Sequence, residues 1–491
     1  MRKSKKALAL LLTTAMIASL GACGKKDTDN DTKSTPTPQT QDQDKNTTPE
    51  ATPETTPNEP KYDFGGRVLK IGSYYDMTPN PEDSAYKQAL AERIAFVEEN
   101  YNCKIEFVSI PDDYTAAYIT SVLSGEPICD IGYIMSYRLL PALIEGGIAY
   151  PVSDLGVFDF NEYKWRPDYI EAGNYKGKNY SFMTKDPEIR YGIFWNKTLF
   201  KKYGLPDLYE LVEKGEWTWE KFREICLAGN KDLDGDGTND IWGFNERESL
   251  EWCYLYSNGA DVIQKTDSGV NVNLSDPKVI EALEEFQDFT QNVPHEGGWL
   301  GDWLQQIKNF RDGKVMMCLE EFWISYSHLG EMQDEFGFVP FPKGPSATDW
   351  SCYGKEVAPR FMLNGIDKPE EAALIYDLIT DVVETEEEWD DLMEAQLEAW
   401  ASDAETVSIC MNILNNGLVT INPIKGFGDL NTTMSNMFGD IRNATSTPQT
   451  AIETYTPAID AAIADIQNYD YDTEMKETMD KFLNPEEEET E

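Results

Sequence analysis

Residues 175–244 are YKGKNYSFMTKDPEIRYGIFWNKTLFKKYGLPDLYELVEKGEWTWEKFREICLAGNKDLDGDGTNDIWGF, and this stretch contains three different signals in a fixed order. The first is a pair of short apolar segments, Asn179 to Met183 and Tyr191 to Trp195, on either side of a charged sequence that includes Pro187. Alternation of apolar and polar residues beside a turn-forming cluster is typical of strands. The pattern therefore predicts two strands joined by a polar crossing.

The second signal is a helix start at Thr218. Phe222, Ile225 and Cys226 follow at helical spacing, and Glu220 lies where the positive end of a helix favours an acidic residue. The Thr218 hydroxyl can accept a hydrogen bond from the first turn. We therefore expect a helix that begins directly after Thr218.

The third signal is the acidic segment 232–240, DLDGDGTND. In calcium loops of the EF-hand type, ligands lie at positions 1, 3, 5, 7 and 9, with glycine at position 6. Counted from the first aspartate, these positions are Asp232, Asp234, Asp236, the Thr238 carbonyl and Asp240, with Gly237 at the sixth. Position 12 is Gly243, so a last ligand would be Glu246, Glu248 or water. We expect a structural Ca²⁺; a solvated Asp/Gly turn without metal is the alternative.

The N-terminus has the features of an export signal. Basic residues precede an apolar run from Ala7 to Leu20 that is too short to span a bilayer, and Leu20-Gly21-Ala22-Cys23 follows. A cysteine behind a small-residue cleavage site resembles the lipobox of bacterial lipoproteins. Residues 1–22 are therefore predicted to be a lipoprotein signal peptide, with Cys23 lipidated and the chain held on the outer face of the membrane. Ordinary secretion with an incidental cysteine is the alternative.

Composition limits the remaining possibilities. Residues 23–61 are rich in Thr, Pro and Asp and are predicted to be a disordered tether. The net charge of −46 argues against nucleic acid and against electrostatic binding to anionic lipid. The cysteines after Cys23 show no C-x-x-C spacing, so we expect buried thiols, with one or two bridges left open. Two histidines, without HExxH or GxSxG, argue against zinc and triad chemistry.

The segment after the tether predicts a β-α-β-α-β unit. Its elements are a strand Val68 to Tyr75, a helix Pro81 to Asn100, a strand Lys104 to Ile110, a helix Asp113 to Leu123 and a strand Ile128 to Met135. This order predicts a parallel sheet, which binds ligands beyond the carboxyl ends of its strands. The residues at those ends are Tyr74, Tyr75, Asp76, Ser136, Tyr137 and Arg138. Much later, the proline-rich segment 336–345 is predicted to be an extended crossing back to this part.

Together these segments resemble the family 1 extracellular solute-binding proteins of ABC importers, the maltose-binding-like group. The matching pieces are the lipobox, SGEPICDIGYI at 124–134, YPVSDL at 150–155, GKNYSF with IFWNKTLFKKYGL, WTWEKF at 217–222, the acidic loop with Trp242-Gly243, FRDGKVMM followed by Trp323, and FVPFPKGP. The resemblance implies an α/β, two-lobed periplasmic-binding-protein-like fold of type II, each lobe a sheet flanked by helices, joined by a hinge. It places the N-terminal lobe at 62–186 and 343–405, the C-terminal lobe at 187–342 and 406–484, and an acidic tail at 485–491.

The resemblance also implies ligand contacts. By position, Trp252 and Trp323 would stack on a sugar, because an aromatic ring packs on the C–H face of a pyranose. Polar contacts would come from Glu188 and Arg190 at the crossing and from Glu320, Tyr137, Tyr74 and Asp76. Packing inside the protein is the alternative for both tryptophans, and it is the favoured role of Trp217, Trp219 and Trp242.

The expected function is non-enzymatic. A monomeric receptor, lipid-anchored on the extracellular face of a bacterium of the Gram-positive type, would bind a mono- or oligosaccharide and deliver it to the permease subunits of an ABC importer. The alternatives are a peptide cargo or a sensor subunit on the same fold. A secreted glycoside hydrolase is the less favoured alternative. It needs two carboxyl groups at a defined separation, which a sequence does not show.

Overall fold

The computed structural model describes residues 62–187, 189–296, 303–354 and 357–468. The predicted signal peptide, Cys23, the tether, Glu188 and the acidic tail therefore lie outside the described residues. Among the helices within those ranges, none has the length and hydropathy that crossing a membrane requires.

The described residues form a mixed α/β structure, as predicted. The strands are β1 (Arg67–Ser73), β2 (Cys103–Ser109), β3 (Ile131–Tyr133), β4 (Ala149–Tyr150), β5 (Asn174–Tyr175), β6 (Lys178–Asn179), β7 (Tyr191–Asn196), β8 (Ile263–Thr266), β9 (Gly269–Val272), β10 (Met317–Glu321), β11 (Phe336–Pro340), β12 (Cys352–Gly354), β13 (Arg360–Leu363) and β14 (Val419–Ile421). The longer helices span Ala85–Tyr101, Tyr114–Leu123, Trp219–Gly229, Leu250–Ser257, Pro277–Asn292, Trp303–Arg311, Pro369–Thr380, Glu386–Trp400, Ala404–Asn415, Gly428–Arg442 and Pro448–Asn468. Shorter helices span Pro167–Ala172, Lys197–Tyr203, Leu208–Glu213 and Ile324–Ser327.

The first sheet has the order β2-β1-β3-β13-β4. β1 pairs in parallel with β2 and β3, which confirms the predicted β-α-β-α-β unit. β13 pairs antiparallel with both β3 and β4. The sequence pattern did not indicate that a strand so late in the chain joins this sheet. Because side chains alternate along β13, Phe361 packs on Tyr118 on one face, while Met362 joins the core around Ile71 on the other.

The second sheet has the order β10-β7-β11, with both pairings antiparallel. β11 is an edge strand, which suits Pro340, because proline cannot donate to a further ladder. The prediction that 336–345 crosses back to the first part is wrong. After β11 the chain instead stays beside the second sheet, where Lys343 exchanges backbone hydrogen bonds with Trp217 and Trp219, and Gly344 donates to Ser257.

The predicted strand from Asn179 to Met183 is also wrong in extent. Only Lys178–Asn179 forms a regular strand, and Phe182 adds an isolated bridge to Arg360. Side-chain hydrogen bonds account for the difference, because the Asn179 amide donates to the Ile170 carbonyl at 2.7 Å and the Ser181 hydroxyl donates to Tyr169 O at 2.7 Å. These contacts hold the segment against a short helix and away from a sheet ladder.

The predictions of a helix start after Thr218 and of buried thiols are confirmed. The helix Trp219–Gly229 begins after Thr218, whose hydroxyl accepts from the Lys221 backbone at 3.4 Å. Trp217 and Trp219 are buried, which is the packing role expected of them. All cysteines of the described residues are buried free thiols, and they number seven.

One helix, Glu386–Trp400, packs on both parts of the molecule. Near its start, Trp389 lies edge-on to Tyr86 on the first-sheet side, at a ring-centroid distance of 5.9 Å. At its end, Trp400 stacks on Tyr326 at 4.5 Å, and Leu397 joins the core that contains Phe338 of β11. The predicted lobe boundaries stay a prediction, and this helix shows that both cores share one element.

Candidate functional site

Exposed aromatic side chains cluster where β1 and β3 end. Tyr74 and Tyr75, the two residues after β1, are 38% and 45% exposed. Tyr74 stacks on Tyr114 at 5.2 Å, and Tyr75 meets Tyr133 of β3 edge-on at 5.2 Å. Parallel strands end at the same sheet edge, which is why residues distant in sequence meet here. The cluster presents aromatic faces to solvent at the edge where ligands of α/β sheets bind.

Polar groups surround this aromatic cluster. Asp76 is exposed and accepts a hydrogen bond from the Thr78 backbone at 2.9 Å, which lowers the pKa of its carboxyl. The Tyr137 ring lies 4.0 Å from the Lys425 ammonium, and Arg138 lies over the Tyr114 ring at 4.8 Å. The structure thus brings Tyr74, Asp76 and Tyr137 to the sheet edge that the sequence predicted.

Lys425 was not anticipated from the sequence. It reaches Tyr137 because Gly426 sits directly against Leu140: a Cβ at Gly426 would lie 2.1 Å from the Leu140 carbonyl oxygen. No periodicity or motif marks either residue, so the contact depends on tertiary packing alone.

Arg190, predicted at the crossing, is buried and bonded within the protein. One of its guanidinium nitrogens donates to the Tyr169 hydroxyl, and the guanidinium lies over the Tyr169 ring at 5.5 Å. The side chain is 5% exposed. Its predicted contact with a ligand stays a prediction, and its observed role is to hold the start of β7 to the helix Pro167–Ala172.

Trp252 is packed inside the protein. It is 7% exposed, stacks on Tyr256 at 5.9 Å and Tyr353 at 6.3 Å, and meets Phe438 edge-on at 5.1 Å. Tyr353 also stacks on Tyr191 of β7 at 5.7 Å. So little exposed ring surface favours the packing alternative over sugar stacking at this position.

Trp323 is partly exposed and belongs to a group of three rings. Its centroid lies 5.7 Å from Trp303 and 5.4 Å from His328, and those two are 5.2 Å apart. Its indole N–H donates to Glu321 at 2.8 Å, which fixes the ring orientation. Of the two predicted tryptophans, Trp323 is therefore the more exposed.

Glu320 does not face solvent, in contrast to the ligand contact predicted for it. It is fully buried, and Arg247 Nη1 lies 2.6 Å from both of its carboxylate oxygens. Burial raises the pKa of Glu320 to about 7 against the opposing positive charge of Arg247. The alternation of β10 explains the location, since Glu320 points into the core and Glu321, the next residue, points toward Trp323.

Arg247 is a second residue that sequence reasoning missed. Its guanidinium lies 5.4 Å from the Trp303 ring while it pairs with Glu320. It therefore connects the buried carboxylate to the ring group that contains Trp323. Its place in a loop between two helices gives it no periodic signal.

The acidic loop brings together three of its four predicted carboxylates. Oxygens of Asp232, Asp234 and Asp240 lie within 4.8 Å of one another on an exposed surface. Asp232 also accepts from Gly235 N at 2.7 Å and Gly237 N at 2.9 Å, which lowers the pKa of its carboxyl. Both glycines have positive φ, +78° and +89°, which makes this tight reversal accessible. Asp236 stands outside the group of three, where it accepts from Thr238 N.

Residues 78–399 match the family described as bacterial extracellular solute-binding protein. No curated protein matches the chain in sequence.

Similar folds occur among solved structures. A cyclic α-maltosyl-1,6-maltose binding protein from Arthrobacter globiformis has 16% identity and a TM-score of 0.60, covering 81% of this chain and 99% of its own. A cyclo/maltodextrin-binding protein complexed with maltotetraose has 13% identity and a TM-score of 0.59, covering 81% and 97%. An ABC substrate-binding protein from Listeria monocytogenes in complex with cycloalternan has 15% identity and a TM-score of 0.54, covering 81% and 99%. The predicted two-lobed fold is confirmed.

Replacing Arg247 tests its role as the counter-charge of Glu320. Arg247→Ala leaves a buried carboxylate unpaired, so we expect a loss of about 3–5 kcal/mol in the free energy of unfolding near pH 8. The loss should shrink near pH 5, because the buried Glu320 carboxyl, with its raised pKa, is then protonated in the folded state and needs no counter-charge. As pH rises above 4.5 this carboxyl must give up its proton inside the protein, so its contribution to the free energy of unfolding falls. Urea unfolding at the two pH values measures both effects. Arg223→Ala, which breaks partly exposed pairs with Glu285 and Asp288, is the control and should cost about 1 kcal/mol or less. A loss for Arg247→Ala that is equal at both pH values would contradict the assignment.

Proposed function

Because this chain belongs to the family of bacterial extracellular solute-binding proteins, we propose that its solute is a carbohydrate, delivered to the permease subunits of an ABC importer. The observation that carries this proposal is the exposed tyrosine cluster at the ends of β1 and β3, with the Asp76 carboxylate beside it. Aromatic faces stack on the C–H surfaces of pyranose rings, and carboxylates accept hydrogen bonds from sugar hydroxyls. Proteins of similar fold that hold maltotetraose and cycloalternan support the same class of solute.

The proposed mechanism needs binding and closure only. A sugar that contacts both lobes is bound more tightly when they are closed, so it shifts the population toward the closed form. Selectivity then comes from differences in affinity, with no bond of the sugar made or broken. The Trp303, Trp323 and His328 rings would supply a second stacking surface.

A ligand screen tests the proposal. Residues 24–491 are expressed, and thermal unfolding is followed with mono- and oligosaccharides, using short peptides as the comparison set. A ligand specific for the folded state adds about 2.7 kcal/mol of stability at a hundredfold excess over Kd. We expect at least one saccharide to raise Tm and to be recovered unchanged by chromatography. Stabilisation by peptides alone would refute the carbohydrate cargo, and cleavage of the sugar would refute a pure receptor.

The two tryptophans provide a matched pair of variants. Trp323→Ala should weaken binding of the saccharide found in that screen about two- to tenfold with a small change in Tm, because it removes an accessible stacking ring. Trp252→Ala should instead lower the free energy of unfolding by about 3–5 kcal/mol, because it leaves a cavity among packed rings. Isothermal titration calorimetry and urea unfolding separate the two effects. The proposed roles are refuted if Trp323→Ala binds the sugar as the parent chain does.

We also propose that the chain is a lipoprotein anchored through Cys23 on the extracellular face. Two acyl chains give the stable attachment that a single chain does not. Cys23→Ala should move the protein from the membrane fraction to the medium, as followed by immunoblot. A variant that stays in the membrane fraction would refute the anchor.

The acidic loop is proposed to hold a structural Ca²⁺. Three converging carboxylates offer the oxygen ligands that calcium prefers, and Asp236 and the Thr238 carbonyl are the further donors within the loop. A bound cation would relieve the repulsion among these carboxylates and fix the reversal between Asn230 and Ile241. The proposed role is structural, since the loop is exposed and separate in sequence from the tyrosine cluster.

Calcium addition and removal test this site. We expect Ca²⁺ to raise Tm after treatment with a chelator, because the ion binds only the folded loop. Asp240→Asn removes a ligand and should abolish most of that response. Asp267→Asn, in the exposed hairpin between β8 and β9, is the control and should leave it intact. An equal calcium response in all three proteins would contradict the assignment.

A further inference from the structure

A small cavity lies beside the carboxyl end of β1 and has a volume of about 200 Å³. Its walls are mainly apolar and come from β1, β2 and two helices: Ile71, Leu90, Ile94, Phe107 and Ile379. The polar groups along it include Arg360, Tyr86 and Thr184, while Asp76 and Lys87 lie on exposed segments that border it. A mostly apolar pocket with a few polar groups is the usual form of a small-molecule site.

Arg360, the first residue of β13, lines this cavity and is 9% exposed. Its guanidinium donates one long hydrogen bond, 3.4 Å, to the Ala358 carbonyl and lies 4.9 Å from the Tyr133 ring. Among the described residues, no carboxylate forms an ion pair with it. A buried guanidinium normally has such a partner, because removing a cation from water is costly unless it is paired.

Other buried cations near this sheet show the usual arrangement. Arg166 pairs with Asp168 and Asp186, and Lys164 lies 2.8 Å from Asp377 and 2.6 Å from Asp381. The pairing of Asp186 with Arg166 also explains why this carboxylate does not neutralise Arg360, although it too lines the cavity. Arg360 therefore differs from its neighbours in having its positive charge directed to a cavity.

The hydroxyl groups in the cavity are donors that stay neutral. The Tyr86 hydroxyl lies 3.3 Å from Thr184 Oγ1, and burial raises the pKa of Tyr86 to about 12. The Tyr75, Tyr86 and Tyr376 side chains are close enough to Arg360 to affect its electrostatics. A guanidinium beside neutral hydroxyls provides several hydrogen-bond donors for an anion.

We propose that this cavity binds a small organic monocarboxylate. The carboxylate pairs with the Arg360 guanidinium, for which a planar two-oxygen group is the best match, and accepts from the neighbouring hydroxyls. The apolar body lies against Leu90, Ile94 and Phe107, where a polar sugar ring would lose its hydration without compensation. This site goes beyond the proposed carbohydrate function and does not depend on it, although Tyr75 and Asp76 border both.

Calorimetry on residues 24–491 tests the proposal with benzoate, and with benzamide as a neutral analogue of the same shape. We expect saturable one-to-one binding of benzoate and binding of benzamide at least about tenfold weaker, since a charge-assisted pair is lost. Glucuronate carries the same charge on a polar ring and should also bind less tightly than benzoate. Arg360→Gln should weaken benzoate binding about tenfold or more.

A second variant keeps the arginine and removes the space. Leu90→Trp fills the cavity and should abolish benzoate binding, while Leu227→Trp, at an exposed position of the helix Trp219–Gly229, is the control and should not change it. Thermal unfolding confirms that each variant is folded. The proposal is overturned if benzoate up to about 10 mM does not bind. It is also overturned if benzamide or glucuronate binds as tightly, or if Leu90→Trp binds benzoate as the parent does. Saccharide binding is measured separately, so neither result decides the other.

Discussion

The pairing of β13 with β3 and β4 is the constraint on which the rest of the structure depends. This strand enters the first sheet antiparallel, from a part of the chain that follows the whole second sheet. It fixes the segment before it as well, because Val357 exchanges hydrogen bonds with Ser136, three residues after the end of β3. The chain must therefore leave the first sheet after β4 and return for β13, and the segments that do so connect the two parts of the molecule.

Several arginines are buried in this arrangement. The segment that leaves the first sheet carries Arg166 and Arg190 into the interior, where they pair with Asp168 and the Tyr169 hydroxyl. Arg247, in a loop of the second part, pairs with the buried Glu320. Burying a charged group removes it from water, which costs free energy, and loss of its partner would leave that charge buried without compensation. Such pairs hold segments at defined positions more than they add net stability. Arg360 lies on the strand that rejoins the first sheet, and its guanidinium lines a cavity.

The aromatic residues divide into two kinds with different consequences. The first kind is packed inside the protein, where Tyr353 stacks on both Trp252 and Tyr191 of β7 and the rings bury apolar surface. Tyr74 and Tyr75 lie at a sheet edge, and Trp323 lies in a ring group beside Glu321, so these three keep exposed surface. Both groups consist of tyrosine and tryptophan, so the residue type does not separate them; their position in the fold does. A receptor for a polar, ring-shaped solute requires the second kind, supported by the rigidity of the first.

Sequence patterns were enough to predict the local elements and the family. Period-two and helical patterns located β1, β2, β7 and the helix after Thr218, because those signals depend on near neighbours in the chain. The ordered motifs indicated the family, and the order of strands and helices indicated Tyr74, Asp76 and Tyr137. Four features became visible in the folded protein alone: Trp252 is packed, Glu320 is paired with Arg247, β11 is an edge strand, and β13 joins the first sheet between β3 and β4. Those outcomes depend on contacts between residues far apart in the chain, and a buried carboxylate or tryptophan has the same one-dimensional pattern as an exposed one.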